Sequence, residues 1–150
     1  MVSPNNKWLI FSDLDGSLLD HDTYSHAAAD ALLAKLEQAQ TPVILTTSKT
    51  RAEVEALRVA LSNKHPFITE NGAAVYIPQG YFESKPEGCI ERDDFWVYSF
   101  SQPRSHWLSI LDNAKKKFPY SFSHFAAMKE EVISQVTGLS QQQALQANTR

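Results

Sequence analysis

The sequence contains a single cysteine, Cys89. That excludes an internal disulfide and any metal site built from several thiolates, and it fits a reducing compartment. No long run of one charge sign is present, and the formal net charge is -3. A basic patch of the kind that confers nucleic-acid affinity is not evident, so no nucleic-acid partner is expected. No apolar stretch approaches the roughly 20 residues of a spanning helix, so no membrane partner is expected either. Residues 1–6 lack the charged and apolar regions of a signal peptide. A soluble, cytoplasmic protein is the expectation. The five histidines (His21, His26, His65, His106 and His124) show no ligand spacing and are expected at the surface or in packing roles. What is present is enough apolar side chain for a core, 43% of the residues. The length suits one domain, or one domain with part of another.

The chain is organised around its first apolar run. Trp8-Leu9-Ile10-Phe11 leads into Asp13-Leu14-Asp15-Gly16. The run reads as a buried strand and the acids as the start of a loop. Alternate residues of a strand share a side. Asp13 and Asp15 are therefore expected to face one space beyond the strand's C-terminal edge, where open α/β sheets bind ligands. Adjacent carboxylates repel, which suggests a cation or a shared proton between them. The chemistry suited to such a pair is phosphoryl transfer through an aspartyl phosphate, with Asp13 as nucleophile. Mg²⁺ held by Asp13 and a nearby main-chain carbonyl would screen the two anions from each other. Asp15 would protonate the departing oxygen and later activate water, and Gly16 permits the tight turn. The competing reading of the same residues is an Asx-rich turn that caps a strand end.

Further along, apolar spacing predicts a helix capped by Ser25 and running to about Gln38, with Ala28, Leu32 and Leu36 on one face. Val43-Ile44-Leu45 is a second strand, ending in Thr46-Thr47-Ser48-Lys49. Thr50 and Glu53 form a capping-box pattern that opens a helix with Val54, Leu57 and Leu61 along one side and Asn63 as its stop. Phe67-Ile68-Thr69 is a third strand, turned by Glu70-Asn71-Gly72 into a fourth at 73–77. This β-α-β-α-β order implies an α/β fold with a parallel sheet and right-handed crossovers. Residues 80–94 read as a linker or loop and 95–100 as a strand. A helix follows over 105–117, with Trp107, Leu111, Ala114 and Phe118 on one face and Trp107 and Phe118 expected in a core. A short strand is expected at 120–122. Lys129 to Thr137 is a helix closed by Gly138, and Ser140 with Gln143 caps a last short helix.

The second and third strand ends fall at the edge that carries Asp13. Hydroxyls and main-chain N–H groups entering a helix suit a phosphate, which marks Thr47 and Ser48, with Lys49 adding charge. A hydroxyl-rich cap with a solvated lysine is the plainer alternative. Asn71 is a candidate substrate contact, although Asn-Gly is also simply a tight turn.

Asp13-Leu14-Asp15-Gly16-Ser17-Leu18-Leu19 resembles the first motif of the haloacid dehalogenase superfamily, D-x-D-G-T-L-L, with Ser17 for the usual threonine. Val43 to Ser48 is similar to the second motif, a strand ending in a phosphate-binding Thr or Ser, placed here on Thr47 with Ser48 as the alternative. Thr47-Ser48-Lys49-Thr50-Arg51-Ala52-Glu53-Val54, Ile68-Thr69-Glu70-Asn71-Gly72-Ala73 and Ile77-Pro78-Gln79-Gly80-Tyr81-Phe82 resemble the mannosyl-3-phosphoglycerate phosphatases. Segments 129–132 and 137–140 are similar to parts of that group's cap domain. The resemblance implies a Mg²⁺-dependent phosphatase acting on a small phosphorylated sugar or glycerate. Asp13 would be nucleophile and metal ligand. Asp15 would be acid/base, reaching the metal through its main-chain carbonyl. It further implies a partial Rossmann-like core over 1–82 and part of an α/β cap over 83–150. The family's later lysine and its G-D-x-x-N-D loop find no counterpart here, and Asp93-Asp94 stands at the wrong place in the order. The chain is therefore expected to be the N-terminal half of a phosphatase, with little or no activity alone. The alternative is a non-catalytic fragment that folds by self-association through exposed edges, or with a complementary chain. A response-regulator-like receiver fits less well, because its acidic pair precedes a separate phosphoacceptor strand.

Overall fold

The computed structural model describes residues 8–118 and 122–149. The expectations for residues 1–6, and for most of the short strand at 120–122, lie outside the described residues. Strands β1 (Ile10–Ser12), β2 (Val43–Thr46) and β3 (Phe67–Thr69) pair in parallel, with α1 (Ala27–Gln38) and α2 (Arg51–Ala60) as the crossovers. Val43, Ile44 and Leu45 are all buried. A continuous apolar run of this kind is the mark of a strand covered on both faces.

At Glu70-Asn71-Gly72 the chain reverses. Asn71 adopts φ 57° and ψ 37°, the left-handed region that asparagine tolerates better than most residues. β4 (Ala74–Pro78) therefore runs back antiparallel to β3, and β6 (Phe95–Ser99) pairs antiparallel to β4. Residues 80–94, expected as a loop, hold one further strand, β5 (Ile90–Arg92), hairpinned to β6 through Asp93-Asp94. Its three residues are exposed and two are charged, so no apolar alternation announced it. All six strands form one sheet in the order β1-β2-β3-β4-β6-β5, which continues past residue 82.

Aromatic residues fill the centre. Phe67, fully buried, stacks on Tyr76 with centroids 5.1 Å apart and meets the edge of Phe95 at 5.4 Å. The Arg58 guanidinium lies 4.7 Å from the Phe67 ring centroid, while its Nη2 donates to the His65 carbonyl at 3.0 Å. Arg51 ties the start of α2 to the β5–β6 turn by donating to Asp93 at 2.6 Å and to Glu55 at 2.9 Å. Burial opposes its charge, but these bonds prevail and raise the guanidinium above its ordinary value.

Three helix expectations change in detail. α1 starts two residues after Ser25. The Ser25 hydroxyl accepts from Ala27 N–H at 3.3 Å, while His26 holds the cap position and its side chain bonds Asp30 rather than capping the helix main chain. The face of α1 that meets the core is Leu33 and Leu36, because Leu32 points outward and is exposed. α3 (Arg104–Lys115) half-buries Leu108, Leu111 and Ala114 but leaves Trp107 and Phe118 exposed, so neither belongs to a core. The Trp107 indole instead bonds back to Ser101 Oγ at 3.1 Å and the Gln102 carbonyl at 3.2 Å. In α2 the side made by Val54, Leu57 and Leu61 packs into the core as its spacing predicts.

At the C-terminal end, α4 (Glu130–Thr137) is closed by Gly138 at φ 75°, and α5 (Gln141–Ala147) opens with the Ser140–Gln143 capping box. Ile133, Ala144 and Ala147 are buried where α4 and α5 meet. α5 also contacts α2. Phe67→Ala is expected to lower stability by about 3–5 kcal/mol, read as a shift in the urea midpoint with an unchanged slope.

Candidate active site

The geometry starts from two leucines. Leu14 and Leu19 are 0% and 2% exposed, and each such burial contributes roughly 1.5–3 kcal/mol. They pin both ends of a tight loop closed by Gly16 N–H to the Leu19 carbonyl (2.9 Å) and Leu19 N–H to the Leu14 carbonyl (2.8 Å). Gly16 sits at φ 72° with open space around it, so its backbone angle, rather than crowding, demands glycine. Asp13 and Asp15, flanking Leu14, are left exposed at the C-terminal end of β1.

The second strand brings the cation. Lys49 Nζ donates to Asp15 Oδ2 at 2.8 Å across a large sequence separation. The lysine side chain is only 17% exposed, against 38% for the aspartate. It also faces the Tyr24 ring, with Nζ 5.7 Å from the centroid. Asp13 makes no ion pair among the described residues. Thr47 is buried, and its hydroxyl accepts from Lys49 N–H at 3.2 Å. Ser48 is the exposed hydroxyl of this loop. The Thr46 hydroxyl, just before Thr47, is buried without a partner among the described residues.

The third strand end is laced to the second. Asn71 N–H donates to the Thr47 carbonyl at 3.0 Å, and Glu70 N–H to the Lys49 carbonyl at 3.1 Å. The Asn71 residue itself is exposed. Asp13, Asp15, Thr47, Ser48, Lys49 and Asn71 thus all fall at one edge of the parallel strands. Lys49 touches Asp15 directly, whereas Asn71 is joined to the group through its backbone.

Below Lys49 the capping box forms as expected. Glu53 Oε2 accepts from Thr50 N–H at 2.7 Å and from Thr50 Oγ1 at 2.8 Å. The same hydroxyl lies 3.1 Å from the Gln146 carbonyl, so its one proton is shared between α2's own cap and α5. Sequence spacing offered no signal for that contact, because 96 positions separate the two residues. Nor did it mark Tyr24, which lies in the polar segment between the acidic loop and α1.

The site is an open edge. Two clefts lie elsewhere, one lined by His26, Glu37, Leu61 and His65 and the other by Arg51, Arg58 and Phe95; neither includes Asp13, Asp15 or Lys49. The donors at the edge are carboxylate, hydroxyl and carbonyl oxygens, the type that suits a hard cation. Among the described residues no group of three or more His, Cys, Asp or Glu could hold a metal ion.

Comparison with known proteins follows the same lines. The family described as haloacid dehalogenase-like hydrolase matches residues 10–87. A protein of Methanococcoides burtonii named glucosyl-3-phosphoglycerate/mannosyl-3-phosphoglycerate phosphatase is 38% identical over 144 residues, covering 96% of this chain and 53% of its own length. A protein of the same name from Persephonella marina is 33% identical over 144 residues, 95% of this chain and 52% of its own. The chain spans about half the length of the curated relatives it matches. A solved structure of a hypothetical protein from Geobacillus kaustophilus superposes with a TM-score of 0.54 at 20% identity, over 75% of this chain and 38% of that one. A phosphatase of the haloalkanoate superfamily from Bacteroides thetaiotaomicron gives 0.52 at 18% identity, over 78% and 39%. At these identities the superpositions speak for the fold alone.

Two outcomes test the site's scaffold. Thr50→Ala is expected to destabilise the chain by about 1–2 kcal/mol through the lost cap, with Thr50→Ser restoring most of it in the same denaturation series. Asp20, which opens the segment leading to Tyr24, is held below the usual carboxylate range, chiefly by Thr23 N–H and its hydroxyl. Its folded-state pKa is the lower one. Its stabilisation is therefore present above the unfolded value of about 3.9 and is lost as pH falls through the folded value. An Asp20→Asn variant should lose less stability than wild type across that acid limb, measured by urea titration at stepped pH.

Proposed function

The chain belongs to the haloacid dehalogenase-like hydrolase family, and we propose that the protein it forms hydrolyses the phosphate monoester of a glycosylated phosphoglycerate or similar phosphosugar. The observation that carries this reading is the Lys49–Asp15 pair at 2.8 Å. It joins the ends of two parallel strands into one small constellation of nucleophile, acid/base and cation. The substrate class rests on the names of the two curated relatives.

Asp13 has the exposure a nucleophile needs. A carboxylate oxygen forms a bond to phosphorus as the bond to the substrate's ester oxygen breaks. Asp15, two residues on and at the same edge, donates a proton to that leaving oxygen. It then takes one from the water that attacks the aspartyl phosphate, which releases inorganic phosphate and restores Asp13. The Thr47 hydroxyl, the Ser48 hydroxyl and the Lys49 ammonium are the phosphate-facing groups, and Asn71 is a substrate contact at the neighbouring strand end. Lys49 is the cation nearest an incoming phosphate, and in turning from Asp15 to that phosphate it frees the Asp15 carboxylate to take up from solvent the proton that Asp15 then donates. Mg²⁺ would be held by the Asp13 carboxylate and the Asp15 main-chain carbonyl, and would supply the remaining charge neutralisation. Positioning and charge neutralisation make up most of phosphoryl-transfer catalysis. The groups named here supply part of both, and slow turnover is expected from them.

The test is release of inorganic phosphate from glucosyl- or mannosyl-3-phosphoglycerate in Mg²⁺, comparing wild type with Asp13→Asn. The expected result is slow release that the substitution lowers by roughly 10³-fold or more. Release that is indifferent to Asp13 would overturn the reading.

A further inference from the structure

We propose that Tyr24 determines specificity at this site, its ring forming the wall against which the sugar ring of a glycosylated phosphoglycerate or similar phosphosugar packs. The proposal rests on the phosphatase reading above and extends it to a residue outside the two acidic and hydroxyl-rich loops.

The segment Asp20-His21-Asp22-Thr23-Tyr24-Ser25 is polar, exposed and without regular structure, yet it is tightly determined. The Asp20 carboxylate accepts from Thr23 Oγ1 at 2.7 Å, Thr23 N–H at 2.9 Å and Asp22 N–H at 3.2 Å. Tyr24 N–H donates to the Asp20 carbonyl at 2.9 Å, and Asp20 N–H to the Ser25 carbonyl at 2.9 Å. These bonds hold Tyr24 at φ 56°. That left-handed conformation is uncommon for a bulky residue and persists only where its surroundings over-determine it.

The result is an aromatic ring presented to solvent, 57% exposed, at the site rather than in the core. Its neighbour there is the Lys49 ammonium, 5.7 Å from the ring centroid, and that same ammonium bonds Asp15. The ring, the cation and the acid form one contiguous surface. A phosphate drawn to Lys49 leaves the rest of its ester beside the ring. A pyranose suits that position because it has an apolar C–H face and a rim of hydroxyls. Tyrosine offers the complementary apolar body and polar tip. An acyclic phosphate ester has no such face to bury.

The test measures binding by titration calorimetry to the whole chain, with glucose 6-phosphate, glycerol 3-phosphate and inorganic phosphate as probes. Wild type should bind the hexose ester more tightly than the glycerol ester. Tyr24→Ala should weaken glucose 6-phosphate by about tenfold, from the apolar area no longer covered. It should leave inorganic phosphate unchanged, which also reports an intact fold, and Tyr24→Phe should keep the preference. The proposal is overturned if wild type shows no preference for the ring, or if Tyr24→Ala leaves that preference in place. It is overturned equally if Tyr24→Ala weakens inorganic phosphate by the same factor, since Tyr24 would then act through Lys49. Failure of the underlying reading has a different signature: inorganic phosphate that binds wild type and Lys49→Ala alike, or none of the three probes binding at all.

Discussion

Parallel pairing of β1, β2 and β3 is the constraint on which this site depends. Parallel strands joined by helical crossovers must end at the same edge. The register Ile10↔Val43 and Leu45↔Phe67 sets how closely those ends approach. Asp13 is the residue after β1, Thr47 the residue after β2, and Glu70 the residue after β3. Three segments far apart in sequence thus become neighbours by main-chain hydrogen bonding alone. The 2.8 Å contact between Lys49 and Asp15 is a consequence of that alignment.

The surroundings hold the alignment by unequal means. Beneath the edge, Leu14 and Leu19 anchor the acidic loop through burial, and the Thr50–Glu53 box fixes the start of α2. Across the sheet, the Phe67, Tyr76 and Phe95 rings bind the parallel strands to the antiparallel ones. β1 itself is an edge strand in this sheet, with Phe11 exposed on it and Trp8 and Leu9 exposed just before it. The strand that bears the acids is the least covered of the parallel set. An exposed strand edge with apolar side chains is a surface that favours pairing.

The site gathers two carboxylates and one ammonium, with hydroxyls and main-chain N–H groups between them. No helix among the described residues is long and apolar enough to cross a membrane.

Much of this could be read from the residues before any coordinates. The acidic pair after an apolar run, the Thr50–Glu53 and Ser140–Gln143 boxes, the Gly138 stop and the first three strands follow from local pattern, because each is settled within a few residues of chain, and the parallel pairing of those strands follows from the order of strands and helices. β5 escaped notice because three exposed residues carry no periodicity. The burial of Leu33 rather than Leu32, and the exposure of Trp107 and Phe118, depend on what another segment offers to pack against. The sequence by itself determined the chemistry available, namely which carboxylates, hydroxyls and lysine stand at strand ends. Only the tertiary structure decided that Lys49 meets Asp15, that Tyr24 stands beside Lys49, and that α5 shares the Thr50 proton. Those contacts join residues 34, 25 and 96 positions apart, separations at which no local propensity acts and only the folded backbone sets the distance.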